Sequence, residues 1–534
     1  MSAAASLSWC WRIARAWRAV SGPFERGLTA RAAVVAGLVA SSVGTVASWG
    51  VGFMPSVQGS WFATLGALRP LRVNDVGIVA SSALLVLSAV ALFFAWLQLG
   101  PVARGRDGVR LLRRATILWS LPWFAAFPVM SRDVYSYAAQ GRLLHLGQNP
   151  YHDVVGELPG WLAQGSDGLW AESSSPYGPL FLLVAGQVQE VSGWRPEFYV
   201  PLFRLMAFVG VLLCLWVLPH LAKERFVDAG WLLWVVCANP LFLFSMVASA
   251  HNDSIMVALL AAAFLAAARR RVPLALALAA ASIAVKPIVI LALPFLGLSL
   301  AGRGASWPRR FLWWVLTGAS VGAVLTLFGA ITNLWFGWIP AMAGQGNAAF
   351  PFAPFGVLGW LLGGGVGLLT GATAGAAVQG AFYALGKAAA IGAAFWLAFR
   401  RPDGSVLKHT GIVLALAVAL NPLVQPWYLF WFLPFLGAWR AFHGRWERLL
   451  ILASGIASIW CLTDQLSLPE WVAAWPIKLS CGAAAMLLLF FCVFLCPAHR
   501  RVFDGLWRRP LLDFRPEPLS VGASVLHRGA GQPG

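Results

Sequence analysis

Residues 131–153, SRDVYSYAAQGRLLHLGQNPYHD, follow directly on an apolar run that ends at Met130. The change from apolar to polar and aromatic residues marks a bilayer exit. Asp133 falls three residues past it, with Arg132, Tyr135, Tyr137, Gln140 and Arg142 close behind. A carboxylate at a membrane surface among hydrogen-bonding aromatics is what a reaction on a lipid-linked substrate requires. The rest of the chain agrees with a membrane setting. Of 534 residues 59% are hydrophobic and only 11% charged, with mean hydropathy +0.73, a composition that cannot stay soluble as a water-facing globule. It reads as an all-α polytopic membrane protein.

The formal charge of +19 would suggest a nucleic-acid partner in a soluble protein. Here the basic residues cluster in short segments between apolar runs, as cytoplasmic loops do, so the charge reports topology and no nucleic acid is implied. Seven cysteines are scattered without a CxxC pair, which indicates neither a disulfide framework nor a zinc site. Residues 1–29 are basic and lack a small-residue cleavage site, so they read as a cytoplasmic N-terminus whose first span stays uncleaved.

Apolar length and the side that collects Lys and Arg place and orient the spans. Residues 30–50 leave the basic N-terminus, 76–98 return to a loop holding Arg104, Arg106, Arg110, Arg113 and Arg114, and 115–130 cross outward. The opening segment is then external. Residues 131–198 hold three arginines and seven acids, a net charge of −4 within a basic chain, as expected of a first large external loop. Within it, 176–191 is apolar but short, opens with Pro176 and Pro179, is interrupted by Gln187, Gln189 and Glu190, and reads as an interfacial or re-entrant helix. Crossings follow at 199–219, 231–250 and 254–268. A hairpin at 272–300 is bent at Lys286-Pro287, and 311–330 leads to a second external loop, 331–375, of aromatic-anchored interfacial pieces. Further spans at 376–398, 409–424, 427–439, 449–464 and 475–496 give about 14 crossings (range roughly 12–15), both termini inside. Residues 30–500 form one transmembrane domain. Residues 501–534, rich in Pro, Gly and Arg, read as a disordered cytoplasmic tail.

Polar groups recur near the external face. Asp133 reads either as a helix cap or ion-pair partner of Arg132, or as a general base for a hydroxyl proton. His251, Asn252 and Asp253 form either a polar turn or a second site holding acceptor hydroxyls or phosphate, with His251 as a donor. Lys286 lies deep in an apolar hairpin, where a lysine is costly unless it is paired or faces water, so it either snorkels or meets a phosphate. Arg204, at the start of a span, has the same two readings. Tyr177 in SSPYGP and Gln425 in QPWY belong to the same set, and Trp427 and Tyr428 read either as interfacial-belt aromatics or as sugar-stacking groups.

Absent motifs narrow the function. The chain has no Walker A sequence, no GxGxxG after a strand, no HExxH and no GxSxG. Nucleotide-driven and zinc-peptidase chemistries therefore have no support, and a membrane-embedded donor would need no nucleotide-binding domain. A lipid-linked sugar flippase or other transporter would share the apolar spans and buried charges. Transporters, however, spread function over repeated halves at mid-membrane, whereas these polar residues gather at one face.

SRDVYSY, GQNPY, YGPLF, ANPLFLFSMVASAHNDS, AVKP and NPLVQPWYLFW together resemble the GT-C polyprenol-phosphate-sugar glycosyltransferases over about residues 30–500. They are most similar to the MptB-like, polyprenol-phosphomannose-dependent α-1,6-mannosyltransferases of lipomannan and lipoarabinomannan synthesis. The resemblance implies a GT-C fold, a plasma-membrane enzyme with its site on the external face, a polyprenol-phosphomannose donor, and a mannan or lipoglycan acceptor. It implies inverting transfer with Asp133 as the base toward a mannose 6-hydroxyl. Lys286, Arg204, Arg142 and His251 become candidates near the donor phosphate. Tyr135, Tyr137, Gln140, Tyr177, Asn252, Asp253, Gln425, Trp427 and Tyr428 become candidates for sugar or acceptor contacts. Relatives of this kind use mannose, glucose or arabinose donors. No cofactor is implied; a divalent metal is left open, because Arg and Lys can serve a monophosphate leaving group.

Overall fold

The computed structural model describes residues 27–344, 353–439 and 445–499. The expectations for most of the basic N-terminus and for the 501–534 tail lie outside the described residues. Every regular element among the described residues is helical. Seven helices are long and apolar enough to cross a membrane, at Ala30–Ser56, Asp75–Val102, Pro196–Lys223, Trp307–Thr332, Ala372–Arg400, Trp446–Asp464 and Ala474–Leu495. A bent pair, Ala229–Val235 and Pro240–Ala248, makes an eighth if counted as one span. This is a helical membrane protein.

That number falls short of about 14 continuous crossings, because several apolar runs form helices of only 10–17 residues. At 1.5 Å per residue such helices rise at most about 25 Å, less than a hydrocarbon core of about 30 Å. The expected crossing at 115–130 is one correction. Its first residues end an amphipathic helix, Gly105–Ser120, then a 3-10 turn spans Pro122–Ala125, and the chain is irregular from there to Arg132. Pro122 and Pro128 account for this, since each removes a backbone donor a helix would use. The expected loop at 331–375 is another: it contains an apolar 17-residue helix, Pro354–Thr370, packed along Ala372–Arg400. The hairpin bent at Lys286-Pro287 is as expected, with helices on either side of a break.

Chain topology concentrates the ends of three helices in one place. Helix α1 is Asp133–His145, α2 is Asp253–Ala268, and α3 is Val272–Val285. α2 and α3 are antiparallel neighbours joined by the basic turn at Arg269–Arg271. Many surface positions are apolar, including Leu368 at 90% exposure and Leu369 at 86%. Lipid is the solvent that makes such a surface stable.

Candidate active site

Asp133 is the first residue of α1 and Asp253 the first of α2, whereas Lys286 follows the last residue of α3. A helix carries partial positive charge at its N-terminus and partial negative charge at its C-terminus. Each ionic group therefore sits at the helix end that favours it. Lys286 Nζ donates to Asp253 Oδ1 at 2.7 Å, both groups buried. The indole Nε1 of Trp431 donates to the same oxygen at 2.5 Å. The ammonium also lies 5.6 Å from the Tyr177 ring centroid, 5.5 Å from Tyr428 and 5.0 Å from Trp431. Three aromatic faces and one carboxylate replace much of the water an ammonium loses on burial.

His251 links this pair to Asp133. Its Nδ1 donates to the Ser245 carbonyl at 2.7 Å, its ring stacks on Trp427 at 4.0 Å, and Nε2 lies 3.4 Å from Asp133 Oδ2. Because a carbonyl only accepts, Nδ1 keeps a proton, and a second proton on Nε2 would face the carboxylate. Burial pushes the Asp133 carboxyl up, but the hydrogen bond and charge of His251, the Lys286 charge and the Ser131 hydroxyl outweigh it. The group is held below the ordinary carboxylate range and is ionised at neutral pH. The charges of both Asp133 and Asp253 reach Tyr137, Tyr177 and Tyr428, so the two carboxylates share one site.

The backbone around these groups is irregular in matched ways. Met130 has φ +67° and Ala250 φ +59°, left-handed conformations that cost a non-glycine residue about 1 kcal/mol or more. Between them, Ser249 Oγ donates to the Val129 carbonyl at 2.6 Å. Arg204 spans the same junction, donating to Phe124 and Ala126 on one side and to Val247 and Ala248 on the other, at 2.7–3.1 Å. A π-helical stretch, Leu243–Ala248, presents the Ser245 carbonyl to His251. Arg204 therefore gives its hydrogen bonds to backbone carbonyls and staples the segments that carry Asp133 and His251, so these donors are spent on the fold.

The remaining candidates separate. Gly178 lets the SSPYGP loop touch the end of α3: its N–H donates to Val285, and a Cβ there would lie 2.2 Å from the Ala284 carbonyl oxygen. Tyr151 of GQNPY donates from its hydroxyl to the Tyr177 carbonyl, and Gln140 accepts from Ser175, so both hold this loop against Lys286. Tyr137 packs edge-on against Tyr177 at 5.2 Å. Tyr135 turns instead toward Tyr199, with ring centroids at 6.2 Å. Both amide atoms of Asn252 are buried without a protein partner, as is Asp253 Oδ2. Arg142 lies nine residues, or about 13 Å, along α1 from Asp133, where it donates to Pro159 and Gln164. Gln425 and Trp427 line a cleft with Asp133. Trp431 and the Ser245 carbonyl were missed. Trp431 has a sequence signal, three residues after Tyr428 on one helical face; the carbonyl has none. Among the described residues no three His, Cys, Asp or Glu side chains are grouped to hold a metal ion.

Fold and site define a helical membrane protein with a carboxylate-lined cleft backed by a buried cation. The chain belongs to the α-(1→6)-mannopyranosyltransferase family: residues 34–302 match the family's N-terminal domain, and residues 356–491 match the MptB C-terminal domain. It is similar to a protein of Mycolicibacterium smegmatis named "Probable alpha-(1->6)-mannopyranosyltransferase", at 30% identity over 80% of this chain and 82% of that one. It is also similar to α-(1→6)-mannopyranosyltransferase A of Mycobacterium tuberculosis, at 31% identity over 66% and 70%. The B enzyme of Corynebacterium glutamicum is 26% identical over 68% and 66%. No solved structure matches the chain.

Proposed function

We propose that this protein is a mannosyltransferase that moves mannose from a polyprenol-phosphomannose donor to a mannan-type acceptor, forming an α-1,6 linkage on the external membrane face. The observation that carries the reading is Asp133, an ionised carboxylate in an open cleft with His251 behind it and the Lys286–Asp253 pair beyond. The family membership supplies the sugar.

In this reading the acceptor 6-oxygen attacks the donor's anomeric carbon from the face opposite the phosphate. The bond from that carbon to the phosphate oxygen breaks, and its electron pair leaves with polyprenyl phosphate. A β-linked donor then gives an α-linked product. Asp133 takes the acceptor hydroxyl proton. A carboxylate held below its ordinary range is a weak base for a free alcohol, but the hydroxyl becomes strongly acidic as its oxygen bonds to an oxocarbenium-like carbon. The proton transfer therefore belongs late in the step. Lys286 has two N–H donors beyond the one given to Asp253, and these are the groups to meet charge growing on the leaving phosphate. The partly protein-unpaired Asn252 and Asp253 offer hydrogen bonds to sugar hydroxyls.

The test uses membranes holding the full chain, labelled polyprenol-phosphomannose and a short α-1,6-mannoside, with linkage analysis of the product. An α-1,6-extended mannoside is expected. Movement of the labelled lipid across vesicles without any glycan extension would replace the reading with a flippase.

A further inference from the structure

The cleft at Asp133 has two walls that none of the sequence motifs supply. One is the segment bearing Asp167 and Trp170; the other is the end of helix Arg445–Asp464, bearing Trp460, Asp464 and the following Gln465. The second wall comes from the far end of the chain, more than 300 residues after Asp133 in sequence. We infer that this cleft is the acceptor subsite and that it takes a neutral oligosaccharide, a deepening that rests on the transferase reading above.

Three observations point this way. The first is composition: a sugar presents apolar C–H faces and a rim of hydroxyls, and it is held by aromatic rings together with carboxylates and amides. Trp460 is 48% exposed, and Asp464 and Gln465 lie beside it at the helix end, the Gln465 amide donating to Asp464 Oδ2 at 2.7 Å. On the other wall, one Asp167 oxygen accepts from the Leu169 N–H within the same segment. The second is charge. Asp133, Asp167 and Asp464 line the cleft, while the cation there, Arg132, donates to the Gly165 and Ser166 carbonyls. Lys478 bonds the Asp464 carbonyl. An anionic phosphate is disfavoured against three carboxylates, so the donor headgroup belongs on the Lys286 side and the uncharged acceptor on this one. The third is placement: Trp460, Asp464 and Gln465 line the same cleft as Asp133, the base of the proposed transfer, so a sugar seated there lies beside it.

The experiment measures acceptor and donor KM separately for the full-length protein in vesicles, with α-1,6-mannotetraose and labelled polyprenol-phosphomannose. Trp460→Ala and Asp464→Asn are each expected to raise acceptor KM about tenfold while donor KM and the rate at saturating acceptor stay within about twofold. Unchanged donor KM shows that a variant is folded, and Gln465→Ala provides a milder third variant. If the wild type transfers mannose and all three variants keep the wild-type acceptor KM, the cleft assignment is overturned while the transferase reading stands. If the wild type transfers no mannose, the transferase reading falls first and takes the subsite with it.

Discussion

Two buried cations sit in this bundle and are stabilised in opposite ways. Arg204 is wrapped by backbone: four carbonyls from two broken segments take its hydrogens. Lys286 is wrapped by side chains, one carboxylate and three aromatic faces, and among the described residues one of its three donors meets a protein acceptor. Guanidinium geometry suits the first task, because five N–H groups in a rigid fork can bind several carbonyls at once. An ammonium suits the second, because its donors rotate to meet a ligand. From sequence alone both read either as snorkelling side chains or as phosphate cations; the difference shows that a buried charge is assigned by what consumes its donors.

The largest expected effect tests the Lys286 side of this contrast at its reactive end. Asp133→Asn keeps the carboxylate's shape and removes the base, so transfer should fall by about a thousandfold or more while donor binding and folding persist. Near-normal transfer would sink the mechanism. Next, Lys286→Ala should lower kcat/KM for the donor by about a hundredfold. That variant also leaves Asp253 buried without its cation, a cost of about 3–5 kcal/mol. The double variant Lys286→Met with Asp253→Asn separates the effects: stability should return in part and donor use should stay low.

Arg204→Ala is expected to behave differently. It leaves four carbonyls without their donor, so thermal stability should drop by about 3 kcal/mol or more, while the active fraction keeps the wild-type donor KM. A raised donor KM at normal stability would break the comparison, making both cations phosphate ligands. A smaller effect is expected from His251→Gln. His251 helps hold the Asp133 carboxyl below its ordinary range, so the base form persists into acid; losing that partner raises the carboxyl's pKa. The acidic limb of kcat/KM should therefore move to higher pH, read from a pH profile between about 3 and 7. Arg142→Ala should change donor KM by less than about twofold, because its guanidinium is held by Pro159 and Gln164.

Much of the local architecture was legible. The break at Lys286-Pro287, the short apolar helix after Tyr177, and the long spans followed from proline chemistry and apolar length. The 115–130 stretch misled because apolar content hides where a chain stops being helical. Of the site, Asp133, Asp253, Lys286 and the QPWY segment stood out as polar or aromatic groups near membrane boundaries. Trp431 did not: its spacing from Tyr428 places the two rings on one face, but nothing in that spacing points to its hydrogen bond to Asp253.

The sequence by itself determined that this is a helical membrane protein, where its apolar helices run, and which family it resembles. Those are properties of length, composition and local motif, and each is written along the chain. Only the tertiary structure decided which helix ends meet. Asp253 is paired with Lys286 from 33 residues away and with Trp431 from 178, His251 faces Asp133, and Asp464 shares its cleft. The physical reason is that such pairings depend on how the whole bundle packs. Apolar length fixes that a helix forms, but many packings bury it equally well, and contacts between distant helix ends select among them.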